Sequence, residues 1–171
     1  MEDLVESILD YVRSDYTDYA IMINGEWGVG KTHFWNNKIR KKIESMQLNG
    51  KRYTTIYMSL YGISNLEEIS KKIFMETTQL MDKNLRRFMN SKGQETIPEY
   101  AKTGIDMANF FGVTQNGNKL DYAEFFATDD KVLCFDDLER ANVDVIDILG
   151  YINNFVEHDH IKTIIICNEK E

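Results

Sequence analysis

Apolar residues recur along this chain at two alternating periods, and each change of period marks an element. Leu4, Val5, Ile8, Leu9 and Val12 keep helical spacing, so a helix leads into the first strand, Ala20-Ile21-Met22-Ile23. Trp35, Ile39, Ile43 and Met46 return to helical spacing and bury one stripe while Lys and Arg residues face water. Trp35 is expected in the core rather than as a base-stacking platform. Tyr53-Thr54-Thr55-Ile56-Tyr57-Met58-Ser59-Leu60 is rich in β-formers and predicts a second strand. Asn65, with Glu68 three residues on, resembles a capping box, and Leu66, Ile69, Ile73 and Leu80 carry the helix onward.

Residues 83–130 lack a sustained period. Pro98, the only proline, marks a helix start, Met107-Ala108-Asn109-Phe110-Phe111 is a short apolar cluster, and Gln115-Asn116-Gly117-Asn118 is a polar loop. The segment reads as a helical insertion, serving either partner contact or extra bulk at the sheet edge. Beyond it, Val132-Leu133-Cys134-Phe135 forms an uninterrupted apolar run, as buried parallel strands do. Val145, Ile146, Leu149, Ile152 and Val156 define a last helix, and Lys162-Thr163-Ile164-Ile165-Ile166-Cys167 a last strand with Asn168 at its tip. Strands alternating with helices predict an α/β fold, three layers with a mostly parallel sheet of four visible strands and right-handed crossovers, in one domain spanning 1–171.

Chemistry enters where the first strand meets the second helix. Gly25-Glu26-Trp27-Gly28-Val29-Gly30-Lys31-Thr32 fits G-x-x-x-x-G-K-[ST], a P-loop, with a strand before it and a helix after it. Glycines let the backbone turn its N–H groups toward a phosphate, and the helix adds its positive end. Lys31 can neutralise the outer phosphates, Thr32 can ligate Mg²⁺, and His33 completes the nucleotide-binding stretch 25–33. A second motif, Asp136-Asp137-Leu138-Glu139-Arg140, ends the apolar run 132–135, at the strand end where α/β sheets bind ligands. Asp136 is a candidate for Mg²⁺, Asp137 for the base that deprotonates an attacking water, and Glu139 is the competing base. The plainer reading makes Asp136-Asp137 the cap of a helix beginning near Ala141. Asn168 can reach the γ-phosphate or the water if its strand lies beside the one ending at Asp136; otherwise it is an ordinary turn residue.

Together these residues bring one family into view. The chain resembles the KAP family of P-loop NTPases, related to the STAND and AAA+ groups, whose P-loop carries a Trp as in Gly25-Glu26-Trp27-Gly28. The family's second motif reads Asp-Asp-Leu-acidic-Arg, matched by residues 136–140, with Glu139 where Asp is common. The resemblance spans nearly the whole chain and implies Thr32 and Asp136 on Mg²⁺, Lys31 on phosphate, Asp137 as base and Asn168 as sensor. It also implies that the sensor strand separates the two motif strands. A fifth strand and a helical lid would follow beyond Glu171, so the chain reads as a piece of a longer protein. Some members insert membrane helices between the two motifs; this chain shows none there.

Composition narrows the alternatives. With 171 residues, 43% hydrophobic and 28% charged, the chain can bury one core. A net charge of −8 argues against a broad nucleic-acid footprint. Lys38, Arg40, Lys41, Lys42, Lys51 and Arg52 form the densest basic cluster, read mostly as the solvated face of one helix. The acidic Met1-Glu2-Asp3 start carries no signal peptide, and no apolar run reaches the roughly 18 residues of a spanning helix, so a cytoplasmic location is expected. Cys134 and Cys167 fall in buried strands and are expected to form neither disulfide nor metal site. His158 and His160 are read as a polar turn.

The leading expectation is Mg-dependent ATP binding and hydrolysis as a conformational switch. No residue is a secure purine reader. Arg140 is the one motif-linked arginine, either a finger or a partner of nearby acids. By resemblance, such ATPases act in signalling and phage defence, with a second copy or an effector domain as partner. A nucleotide-dependent interaction module with negligible turnover is the alternative, since Asp137 is shorter than the Glu of many related ATPases. A P-loop kinase ranks third, because Asp136-Asp137 suits water activation.

Overall fold

The computed structural model describes residues 2–48, 50–80 and 130–169, and the expected insertion at 83–130 lies outside them except for Asp130. The chain divides into two compact units, Met1–Leu66 with Phe126–Glu171, and Glu67–Phe125. Of the second unit, the described part is helical, within Leu66–Leu80, with Ile69 and Ile73 buried.

The first unit is built on four parallel strands: β1 (Ile21–Asn24), β4 (Thr54–Ser59), β5 (Lys131–Asp136) and β6 (Lys162–Cys167), in the order β1-β6-β5-β4. Helix α1 is Glu2–Arg13, and α2 covers residues 31–45 as α-helical Lys31–Phe34, π-helical Trp35–Ile39 and α-helical Arg40–Ser45. Between α2 and β4 lies an antiparallel hairpin, β2 (Gln47–Leu48) with β3 (Lys51–Arg52). After Leu66–Leu80, here α3, the last helix α4 is Val145–Asn153, continued by a π-helical turn at Asn154–His158.

The hydrophobic pattern explains this arrangement. β5 and β6 lie inside the sheet, and from Val132 to Cys167 every residue of both strands after Lys131 is buried. Alternation sends Val132, Cys134, Ile164 and Ile166 to one face, where they join Val5, Ile8, Leu9 and Val12 of α1 and Trp35, Ile39 and Ile43 of α2. The β1–α2–β4 and β5–α4–β6 connections run in opposite directions along the sheet, so right-handed crossovers put α2 and α4 on opposite faces. The result is the expected three-layer α/β/α fold.

Several details differ from the pattern-based reading. In α4 the buried residues are Ile148, Ile152, Phe155 and Val156, whereas Val145, Ile146 and Leu149 are exposed. The helix begins at Val145 under an Asp144 cap, whose carboxylate accepts from the Ile146 N–H at 2.8 Å, so Asp136-Asp137 does not cap it. Leu4 is exposed, and Tyr11 takes a place in the α1 stripe by donating to the Thr163 carbonyl and accepting from the Thr163 N–H. Arg52 lies on the hairpin rather than on the helix that carries Lys38, Lys41 and Lys42. His160 takes a left-handed φ of 53° in the polar turn before β6.

Trp35 is fully enclosed at the centre of the α1–α2 layer. Trp35→Ala is expected to lower the unfolding free energy by about 3–5 kcal/mol, against less than about 0.5 kcal/mol for Leu4→Ala, as measured by urea denaturation.

Candidate functional site

All four parallel strands end at one edge, because Ser59 pairs with Asp136 and Asn24 with Cys167 across the sheet. Residues 25–30 leave β1 at that edge and turn back to start α2. The turn needs glycine at two places, Gly28 (φ 79°) and Gly30 (φ 93°), where a side chain would be strained. The loop is tied at its base by the Gly25 N–H, which donates to the Cys167 carbonyl at 3.3 Å. Lys31 folds back across it, donating its ammonium to the Gly25 carbonyl and, at 3.1 Å, to that of Glu26. The unpaired N–H groups of the first turn of α2 open at this point.

Facing the loop is the end of β5. Asp136 is only 2% exposed, and its Oδ2 accepts from the Thr32 hydroxyl at 2.7 Å and the Tyr57 hydroxyl at 2.8 Å. Its Oδ1 accepts from the Asp137 N–H at 2.8 Å. These bonds offset the desolvation of a buried carboxylate, which otherwise costs several kcal/mol. Asp137 adopts the left-handed conformation (φ 59°, ψ 39°), and its Oδ2 accepts from the Ser59 hydroxyl at 2.7 Å. A single 3₁₀ turn follows, Leu138–Arg140, with Leu138 buried beneath it. Arg140 Nη1 lies 3.8 Å from Asp137 Oδ1, too long for a hydrogen bond.

The half-open cleft has a volume of about 280 Å³. Its walls are Trp27, Gly28, Gly30, Lys31, Thr32 and His33 from the loop and helix, and Asp136, Asp137, Glu139 and Arg140 from the strand end. Most of the residues singled out in the sequence therefore meet in one place. Gly25, Glu26 and Val29 shape the loop without lining the cleft. Asn168 is buried at the tip of β6, which does lie beside β5, but it is not a wall residue. Glu139 Oε2 is buried with no hydrogen-bond partner among the described residues.

Three participants escaped the sequence reading. Tyr57 and Ser59 hold the two aspartates from β4, and their signal was the alternation that puts polar side chains on one face and Ile56 and Met58 on the other. The Asn24 amide donates to Glu169 Oε2 at 2.6 Å, and its oxygen accepts from the Glu169 N–H at 3.2 Å, clamping the ends of β1 and β6. Burial is the main cause raising the Cys134 and Cys167 thiols above the ordinary range; Asp136 adds to it at Cys134, and Glu139 and Glu169 at Cys167. Among the described residues no three His, Cys, Asp or Glu side chains cluster as a metal site, and no helix is long and apolar enough to cross a membrane. Thr32 and Asp136 pair a hydroxyl with a carboxylate, hard oxygens of the kind Mg²⁺ takes when waters and phosphates fill its other positions.

The model of the KAP family P-loop domain matches residues 2–171. No curated protein matches the chain.

Removing one donor from the buried carboxylate tests how the site is held. Tyr57→Phe should lower the unfolding free energy by about 1–3 kcal/mol in urea titrations at neutral pH. Burial, then the hydrogen bond to Asp136 and its charge, push the Tyr57 phenol above its ordinary value. A raised phenol favours the fold fully below the unfolded pKa of about 10, and that contribution falls as pH climbs above it. Spectrophotometric titration should accordingly show late phenolate absorbance that Tyr57→Phe diminishes, the buried Tyr11 supplying the remainder.

Proposed function

The chain belongs to the KAP family of P-loop domains, and from that premise we propose that it binds ATP with Mg²⁺ and hydrolyses it as a conformational switch. The observation that supports this reading most is the 2.7 Å bond from Thr32 to Asp136, which joins the glycine loop's helix to the β5 carboxylate. Both oxygens are within reach of one shared cation, and Thr32 and Asp136 are the residues that would hold Mg²⁺. When bound, Mg²⁺ would neutralise developing charge on the phosphates. Lys31 would exchange its loop carbonyls for the outer phosphates, and the N–H groups of residues 28–32 would cradle them, with Trp27 and His33 alongside.

Hydrolysis then requires a positioned water. Its oxygen bonds to the γ-phosphorus, the β–γ bridging oxygen departs with ADP, and the water's proton passes to Asp137, held toward the cleft by Ser59. Glu139 is the competing acceptor, because its buried Oε2 has no hydrogen-bond partner among the described residues. Asn168, one strand away from Asp136, would sense the terminal phosphate through β6. The cleft's volume, at the low end for ligand sites, supports recognition of the phosphates rather than of a base. A regulatory setting, with an effector domain or second copy reading the switch in signalling or phage defence, fits this chemistry.

The test is calorimetric binding of ATP with and without Mg²⁺, beside phosphate release at several protein concentrations. Lys31→Ala should weaken binding about ten- to a hundredfold, the worth of a charge-assisted contact. Asp137→Asn tolerates the left-handed backbone and so isolates the charge; turnover should fall roughly 10²–10⁴-fold with binding retained. If Glu139→Gln gives that loss instead, the base is Glu139. Binding without turnover in the parent chain would favour the interaction-module reading, and no binding would sink the site.

A further inference from the structure

Arg140 has a place in the cleft that the phosphate-and-magnesium scheme does not use. Its guanidinium carbon lies 4.1 Å from the Tyr61 ring centre and 5.9 Å from that of Trp27. Both rings are exposed, Tyr61 at 60% and Trp27 at 70%, so this is a surface platform and not core packing. Stacking engages the faces of a guanidinium and leaves its in-plane N–H donors available. Among the described residues no acceptor takes a hydrogen bond from those donors, and the nearest carboxylate is Asp137 at 3.8 Å.

Hydrogen bonds tie the main chain at this position, whereas the side chain is placed by ring stacking. The Arg140 N–H donates to the Asp137 carbonyl at 3.0 Å, and the Arg140 carbonyl accepts from Gly62 at 3.1 Å. Rotation about side-chain bonds can therefore shift the guanidinium within the cleft it lines without moving the turn. The charge balance favours such a move when a polyphosphate arrives, since Asp136, Asp137 and Glu139 already line the walls against Lys31 and Arg140.

We propose that Arg140 is an in-chain contact for the terminal phosphate of a bound nucleoside triphosphate, leaving the Trp27 and Tyr61 rings to make it. Two consequences follow from the geometry. Departure of Arg140 takes the guanidinium away from Asp137 Oδ1 and leaves the Ser59 hydroxyl as that carboxylate's side-chain contact. It also uncovers the indole of Trp27, which belongs to the phosphate-binding loop itself, so that triphosphate and diphosphate give different environments at one tryptophan. Arg140 thereby selects the triphosphate. The inference rests on the nucleotide-site reading above.

The experiment compares a non-hydrolysable ATP analogue with ADP, both with Mg²⁺, on the parent chain and on Arg140→Ala, by calorimetry and tryptophan emission. Arg140→Ala should weaken the analogue about ten- to a hundredfold while ADP changes less than about twofold. Retained ADP binding also reports that the variant is folded. The parent chain should show an emission change with the analogue that ADP does not produce, and Trp27→Phe should abolish it while the buried Trp35 remains. An unchanged ratio of analogue to ADP affinity in Arg140→Ala, or an equal loss for both, would overturn the proposal and leave the nucleotide site standing. Failure of the parent chain to bind either nucleotide would instead overturn the site, and this inference with it.

Discussion

Asp136 carries a carboxylate at the end of an apolar strand, where water reaches almost none of it. Burying such a group is costly unless donors replace its hydration, and here the donors come from separate pieces of the chain: Thr32 at the start of α2, Tyr57 in β4 and the next backbone N–H. Each bond therefore constrains an element. The Thr32 bond fixes where α2 begins and hence where the glycine loop must pass. The Tyr57 bond fixes β4 against β5 beyond what the ladder alone requires. No lysine or arginine among the described residues pairs with Asp136, so its charge is balanced by neutral donors and stays open to a cation.

The sheet order makes this convergence affordable in structural terms. β6 separates β1 from β5, so the loop leaving β1 has room to arch over the β6 tip before reaching Asp136. β4 stands at the end of the described order and presents Thr55, Tyr57 and Ser59 along one face. Thr55 donates to Glu44 of α2, Tyr57 to Asp136 and Ser59 to Asp137. This polar column runs from the C-terminal end of α2 to the cleft, while Ile56 and Met58 on the other face remain buried. A strand buried among apolar neighbours on both faces, like β5, has no room for such a column.

Much of this was legible in the sequence because it is local. Residues 25–32 and 136–140 are contiguous, and the strands β5 and β6 declare themselves by unbroken apolar runs. The three layers and the place of β6 between the strands that carry the two motifs follow from that reading together with the family resemblance. What escaped depends on tertiary context. Tyr57 and Ser59 reach the cleft residues only when Ser59 is registered against Asp136; the alternation in β4 marks a polar face but not that register. The exposed face of α4 misled because Val145, Ile146 and Leu149 obey helical spacing as well as Ile148, Ile152 and Phe155 do. The hairpin of β2 and β3 did have a signal, Asn49-Gly50, with Gly50 in the left-handed region the tight turn needs. The π-helical turn at Trp35–Ile39 had none.

The backbone at Asp137 shows why so much chemistry can issue from one strand end. In an extended chain successive side chains point to opposite faces, so Asp136 and Asp137 would part company. The left-handed conformation at Asp137 reverses the chain there, at an energetic cost of order 1–2 kcal/mol that Asp tolerates better than most residues. The 3₁₀ turn then needs only Leu138 as its apolar anchor to bring Glu139 and Arg140 round as well. Four of the five residues from Asp136 to Arg140, all but Leu138, thus face the same cleft. The hydrogen bond from Ser59 holds Asp137 in this conformation from outside the turn, and the Gly62–Arg140 bond closes the turn against the same loop. Strain at one residue and its restraint by β4 and the loop that follows are what turn a linear run of acids and an arginine into a wall.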